Sequence, residues 1–304
     1  MAASGAVALP DDVPAACARV AARATRVHVV EEAIEPYART LPAASPPAPE
    51  LGGADAERRA AFSLQLNAIN FGSGWFPTLR KPPGKSGFRT VEAGLRANGP
   101  WTAGALAEMT PERIAAALGQ DPGHELMALF AAALRELGER VLAHHGGSFG
   151  ALSRAGDGSA VALAEHLATL PMWRDVCEHD GEPVPLFKRA QIAAADLALA
   201  GLAPADDLAR LTLFADNLVP HVLRLDGVLR FDEDLVARIE REELLEHGSR
   251  EEVEIRACAV HAVELLVAAH GATTATAADN ALWHRGAGTR YKAVPRHRAR
   301  TTAY

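Results

Sequence analysis

The chain has 304 residues, long enough to bury a large core, and its 49 % apolar and 23 % charged residues are those of an ordinary globular protein. A formal net charge of −7 excludes a broad basic face, so no nucleic-acid polymer is expected as partner, although a local site for one phosphate remains compatible. Cys17, Cys177 and Cys258 show no CxxC spacing, the start Met1-Ala2-Ala3-Ser4 lacks the pattern of a signal peptide, and no run reaches the roughly 18 apolar residues of a membrane span, so reduced thiols, a cytoplasmic location and no membrane are expected.

Alanine and leucine dominate and β-branched alternation is rare, which predicts a mainly α-helical chain with at most minor β structure. Helical periodicity runs over 12–41 and 55–69. Residues 42–53 between them carry four prolines by Pro49 and read as a loop. Residues 71–100, rich in Gly and Pro and carrying Trp75, Phe76 and Phe88, read as an irregular segment of the kind that often serves function. Thr110 and Pro111 give an N-cap with proline at the first helical position, closed by Gly119. Helices follow over 124–145, ending at Gly146-Gly147, and over 159–170 and 186–200. Further helices are expected over 206–218, 232–246 and 249–270, the last opened by Ser249 and Glu252 in a capping-box pattern. Leu225-Asp226-Gly227-Val228 reads as a turn between helical patterns. The length leaves open one domain spanning 1–304 or two helical lobes.

One carboxylate stands out. In the segment 211–221 only Asp216 is formally charged, and an ionised carboxylate in such a run must be paired, hydrogen-bonded or shifted in pKa. The alternative is an Asp at a helix end facing water, with Pro220 limiting the helix. At the predicted start of 186–200, Lys188 and Arg189 are either a solvated pair or an anion site that uses the free N–H groups of the first turn. Gln191, three residues on, shares a face with Lys188. Glu254, Cys258 and His261 fall on one helix face, but a zinc site needs a fourth ligand that nothing nearby supplies, so no metal or cofactor is expected but a buried polar cluster, with Glu254 accepting from substrate or from Arg256 or His261. Near the C-terminus Arg285, Arg290, Lys292, Arg296, His297, Arg298 and Arg300 form the one basic cluster, interleaved with Trp283, Tyr291 and Pro295.

Five segments in order carry a resemblance: Phe187-Lys188-Arg189-Ala190-Gln191-Ile192, Phe214-Ala215-Asp216 with Val219-Pro220, Glu252-Val253-Glu254-Ile255-Arg256-Ala257, Leu282-Trp283-His284-Arg285 and Val294-Pro295-Arg296-His297-Arg298. From about Asn67 to Tyr304 the chain resembles the queuosine salvage family of queuosine 5'-phosphate N-glycosylase/hydrolases. The resemblance implies a mainly helical fold similar to helix-hairpin-helix DNA glycosylases, and an N-glycosidase that releases queuine from queuosine 5'-monophosphate or a related 7-deazaguanine nucleotide. It places the catalytic carboxylate at Asp216. It folds the tail back near the site, making Arg296, His297 and Arg298 candidates for the phosphate, since arginine matches phosphate oxygens in bidentate fashion. Asn70 and Phe71 match the core of the family's entry motif, which continues here through Trp75. Phe71, Trp75 and Phe187 are expected to stack on the base. Glu254 is a candidate for the amine or diol of the substrate. Lys188, Gln191, Asn217, His221 and Trp283 complete the expected substrate-binding set. The chain departs from eukaryotic members, which carry an aromatic residue and then Arg after the Asp, where Asn217 and Leu218 stand here. It also has Leu186 where an aromatic is frequent.

The expected partner is a small-molecule nucleotide, bound by a monomer. Three other readings stay open. A DNA glycosylase follows from the fold analogy alone and is disfavoured by the acidic balance. A non-catalytic 7-deazaguanine or nucleotide-binding protein would not require Asp216. A glycosidase of a different nucleotide would.

Overall fold

The computed structural model describes residues 8–43 and 45–304. Among them it is mainly α-helical, with two two-stranded antiparallel sheets as its β structure. No single described helix is long and apolar enough to cross a membrane. The chain divides into two units. The first takes the residues up to Pro46, then Asp175–Gln191 and Asp207–Arg298; the second takes Pro47–Arg174, Ile192–Asp206 and Ala299–Tyr304.

In the first unit the Arg250–His270 helix is the core element, burying twelve residues from Glu252 to Leu266. The Leu9–Arg23 helix presents Leu9, Val13, Ala16, Cys17 and Val20 at helical spacing and packs against it, as does the Glu31–Ala38 helix. The sequence reading of one helical region over 12–41 is corrected here. Residues Val27–Val29 form a strand paired with Leu229–Phe231, in the register Val27 to Phe231 and Val29 to Leu229. Glu254 explains the break. Its carboxylate accepts the backbone N–H groups of Thr25 (3.1 Å), Arg26 (2.7 Å) and Val27 (3.2 Å), so three donors that a helix would have used are satisfied from the side. Ser249 caps the Arg250–His270 helix by accepting the Glu252 N–H at 3.4 Å. The reciprocal half of the capping box is displaced by one residue, because Glu252 accepts from Gly248 N–H at 3.0 Å. Gly271, at φ 71°, ends the helix.

The second unit holds the Ala56–Ala68, Gly87–Asn98, Ala103–Ala107, Pro111–Leu118, Glu125–His145, Phe149–Ser153 and Ala160–Ala168 helices. Their caps follow the sequence signals: Asp55 accepts from Arg58 N–H, Thr110 from Arg113 and Ser159 from Ala162, and Gly119 and Gly146 end their helices in the left-handed conformation. The described residues of 42–53 lie in neither helix nor strand. The segment 71–100, expected to be irregular, is helical over Gly87–Asn98. Ser86 supplies the cap, accepting from Arg89 N–H at 3.2 Å, and Phe88 packs on the cluster of Phe62, Leu66 and Leu95. Apolar residues at 88, 91 and 95 outweigh the Gly and Pro content upstream.

Candidate active site

The site lies in the first unit and is assembled from four stretches far apart in sequence. Residues 211–217 lie in neither helix nor strand, contrary to the expected 206–218 helix, and the next helix begins at Val219 with Pro220 in its first turn. The prolyl ring starts this helix instead of ending one. Gln191 holds this segment: its Oε1 accepts Thr212 N–H at 2.9 Å, and its Nε2 donates to Thr212 Oγ1 and to Leu186 O, each at 2.9 Å. Both ends of the Gln191 amide are therefore committed inside the protein.

Asp216 follows on this segment, half-buried. Its Oδ1 accepts the N–H groups of Leu218 (2.7 Å) and Val219 (3.1 Å), at the start of the Val219–Leu225 helix. Its Oδ2 accepts no hydrogen bond among the described residues. The carboxylate is thus fixed through one oxygen while the other stays available. Lys188, 5 % exposed, lies near enough for its charge to be favoured by Asp216. Burial nevertheless lowers its pKa to about 8, with Asp216 and Asp279 acting against that shift and Arg189 and Arg256 adding to it. Lys188 is not the solvated first-turn residue of the alternative reading. Arg296 is half-buried; burial lowers its pKa and the Asp216 carboxylate opposes the fall. Two cations therefore lie within electrostatic reach of one carboxylate.

The frame beneath is a buried ion pair that the sequence did not reveal. Arg256 donates from Nη1 to Asp175 Oδ1 at 2.9 Å and from Nη2 to Asp175 Oδ2 at 2.6 Å. Its Nε donates to the carbonyl of Ala215 at 3.0 Å. Burial disfavours the Arg256 charge, but Asp175 and Glu252 more than compensate and hold its pKa above the usual value. Asp175 in turn accepts the Lys188 N–H on Oδ2 at 3.0 Å, and its carbonyl accepts the N–H groups of Leu186 and Phe187. Phe187 takes φ 47° at this bend, a conformation rare for a residue with a bulky side chain.

The tail packs on the same loop. Asn217 donates to His297 O at 3.2 Å, Nε2 of His221 lies 2.9 Å from Tyr291 O, and Leu245 N–H donates to Arg298 O at 2.9 Å. The three phosphate candidates separate here. Arg298 is paired with Glu242 at 2.9 Å. His297 is buried, and burial takes its pKa to about 3, so it is a neutral ring rather than an anion ligand. Arg296 alone of the three keeps a side chain with no hydrogen bond or ion pair among the described residues.

The remaining candidates are placed as follows. Glu254 is fully buried; besides the backbone donors above, it has His179 Nε2 at 3.2 Å and Arg250 Nη1 at 3.3 Å, so its acceptors serve the fold. The expected donors Arg256 and His261 are not the ones it uses. Trp283 is half-buried on the Ala275–Arg285 helix, edge-on to His284. Asn70, Phe71 and Trp75 belong to the second unit. Asn70 donates to Asn67 Oδ1. Phe71 packs edge-on against Phe130 at 5.1 Å, and Trp75 donates from Nε1 to Glu125 at 2.7 Å. Phe71, Trp75 and Phe187 are 1 %, 4 % and 3 % exposed, so in this conformation all three rings are covered by protein rather than presented to a base. Among the described residues the group closest to a metal-ligand set is Cys177, His247 and Glu252, whose ligand atoms lie within 4.8 Å of one another. The Arg256 guanidinium sits 3.7 Å from Glu252 and already supplies positive charge there.

His221 and His297 also set a pH dependence. Burial takes their pKa values to about 4 and about 3, while unfolded histidine titrates near 6.5. Both are neutral in the folded chain, so the stability they contribute is complete above about pH 6.5 and is lost as the pH falls towards 4. The expected slope approaches ~1.4 kcal/mol per pH unit for each ring. Urea midpoints measured from pH 7.5 to 4.5 should fall steadily below pH 6.5, and a flat profile would show that the rings titrate in the fold as they do in the unfolded chain.

Residues 88–304 match the family model described as Queuosine salvage protein. A Sphaerobacter thermophilus protein named queuosine 5'-phosphate N-glycosylase/hydrolase is 35 % identical over 274 residues, covering 82 % of this chain and 82 % of that relative. Proteins of the same name from Bos taurus (38 % identical, 44 % of this chain and 40 % of the relative) and Dictyostelium discoideum (34 %, 56 % of each) match shorter stretches.

Proposed function

We propose, from the premise that the chain belongs to the queuosine salvage protein family, that it is an N-glycosidase that hydrolyses queuosine 5'-monophosphate and releases queuine, with Asp216 as its catalytic carboxylate. One observation supports this above the others. Asp216 is fixed by two backbone N–H groups on Oδ1, carries an uncommitted Oδ2, and lies within electrostatic reach of Lys188 and Arg296.

The reaction breaks the bond between ribose C1' and the base nitrogen. Water supplies the oxygen at C1', and a proton from that water ends on the departing base. Positive charge builds at C1' as the bond lengthens, and a carboxylate held in place stabilises it. The same Oδ2 serves as a nucleophile that water later displaces, or as the base that orients and deprotonates water. A 7-deazapurine has carbon at the seventh ring position, so the usual protonation of that atom is unavailable and the base must be supported elsewhere. Lys188, with its pKa brought to about 8 by burial, holds a proton it can lend near neutral pH. Arg296 is the group left to bind the 5'-phosphate.

The direct test is incubation with queuosine 5'-monophosphate and with queuosine, followed by mass spectrometry for the free base; release of no base from either would overturn the reading. Arg296→Ala should raise KM for the monophosphate by roughly 10- to 100-fold, the worth of one charge-assisted hydrogen bond, and leave the nucleoside nearly unchanged. Equal losses on both substrates would assign Arg296 to the fold.

A further inference from the structure

We infer that Arg256 is a positioning residue for hydrolysis, setting Asp216 and Lys188 in register by clasping the carbonyl before one and, through Asp175, the amide of the other; this rests on the catalytic reading of Asp216. The geometry is closed on every side. The guanidinium reaches the Ala215 carbonyl at 3.0 Å, so the residue preceding the carboxylate cannot shift without breaking a buried hydrogen bond. The fork occupies both oxygens of Asp175 at 2.9 and 2.6 Å, and Asp175 Oδ2 also takes the Lys188 N–H at 3.0 Å. Arg256 and Asp175 are 0 % and 2 % exposed, so neither is a surface group adopting a convenient partner.

The residue type matters. Arginine offers donors in a rigid plane, and three of its N–H groups serve here in two directions at once. Lysine supplies the same charge from one point and cannot hold Asp175 bidentately while bonding Ala215 O. A buried ion pair alone gives weak stabilisation, because desolvation offsets the attraction. The Nε bond to Ala215 has no necessary part in charge pairing, but it is what a positioning device requires. Glu252, one helical turn before Arg256, lies 3.7 Å from the same Nη1 that donates to Asp175.

The test is Arg256→Lys in the full chain, assayed on queuosine 5'-monophosphate beside Asp216→Asn. With the melting transition retained, kcat should fall about 100-fold, the cost of a misplacement of about 1 Å at the reacting centre, and KM should stay within about threefold. The alkaline limb of the kcat–pH profile should also move to higher pH. The charged groups facing Lys188 are Asp216 on the 211–217 segment, Asp279 on the Ala275–Arg285 helix, Arg189 on its own helix and Arg256 itself; loosening the clasp admits water and eases the burial that lowers the Lys188 pKa. If Arg256→Lys does not fold, Asp175→Asn, which keeps size and one acceptor, should lower kcat by roughly tenfold and move the alkaline limb in the same direction. Loss of activity only in proportion to the unfolded fraction, with an unmoved pH profile, would make the clasp structural. Wild-type kcat in Arg256→Lys with a dead Asp216→Asn would defeat the positioning role alone. An active Asp216→Asn would defeat the catalytic assignment instead.

Discussion

Asp216→Asn is expected to lower kcat on queuosine 5'-monophosphate by roughly 1,000-fold or more, within the range lost when a positioned carboxylate is neutralised, while leaving the melting temperature nearly unchanged. The fold should tolerate the change because an amide oxygen still accepts from Leu218 and Val219 N–H, the two bonds that Oδ1 makes at the start of the Val219–Leu225 helix. What disappears is the negative charge that the uncommitted oxygen would offer to C1' or to water. Steady-state release of free base is the measurement. A variant with a near-normal rate would remove Asp216 from the chemistry, and one that does not fold would return it to the role of a cap.

Asp175→Ala should act in the opposite way, on stability before rate. Removing the carboxylate strands the Arg256 guanidinium, which is fully buried and loses two hydrogen bonds at once. Breaking one side of a buried pair costs about 3–5 kcal/mol, far more than the pair contributes net. The Lys188 N–H and its neighbours at the bend also lose an anchor. A fall in Tm of roughly 10 °C is expected for a chain of this size. Replacing Asp175 and Arg256 together by apolar residues of similar volume should recover much of the Tm without recovering turnover. A single variant that melts with the parent would show that water already reaches the guanidinium.

What could be read from residues alone follows from distance along the chain. Caps are local, so Thr110, Ser249 and the closing glycines 119 and 146 were legible and stand where expected. Asp216 drew notice because a lone charge in an apolar run needs a reason, and the structure gives it two backbone N–H donors on Oδ1. The segment around it was misread as helix because 211–215 are all buried, and a continuously apolar run has no period to distinguish a non-helical segment from a buried helix. Glu254 was singled out correctly as a buried polar residue, but its partners at 25–27 lie more than two hundred positions away and left no trace nearby. Arg256 stood inside a segment of the resemblance, expected only as a donor to Glu254, and Asp175 had no signal at all, since the two meet across 81 residues. The aromatic candidates show a related ambiguity: a ring suited to stacking on a base is equally suited to a core, and in this conformation Phe71 and Trp75 are packed in that way.

The long-range clasp also orders events in time. Helices such as Pro111–Leu118 and Glu125–His145 carry their own start and stop signals and can form from neighbours in sequence. The clasp closes loops spanning 81, 41 and 13 residues before a single bond is returned, and contacts of that separation come late because chain entropy is spent first. A chain released from denaturant should therefore regain its helical circular dichroism ahead of its turnover. During that interval it is already helical but not yet an enzyme.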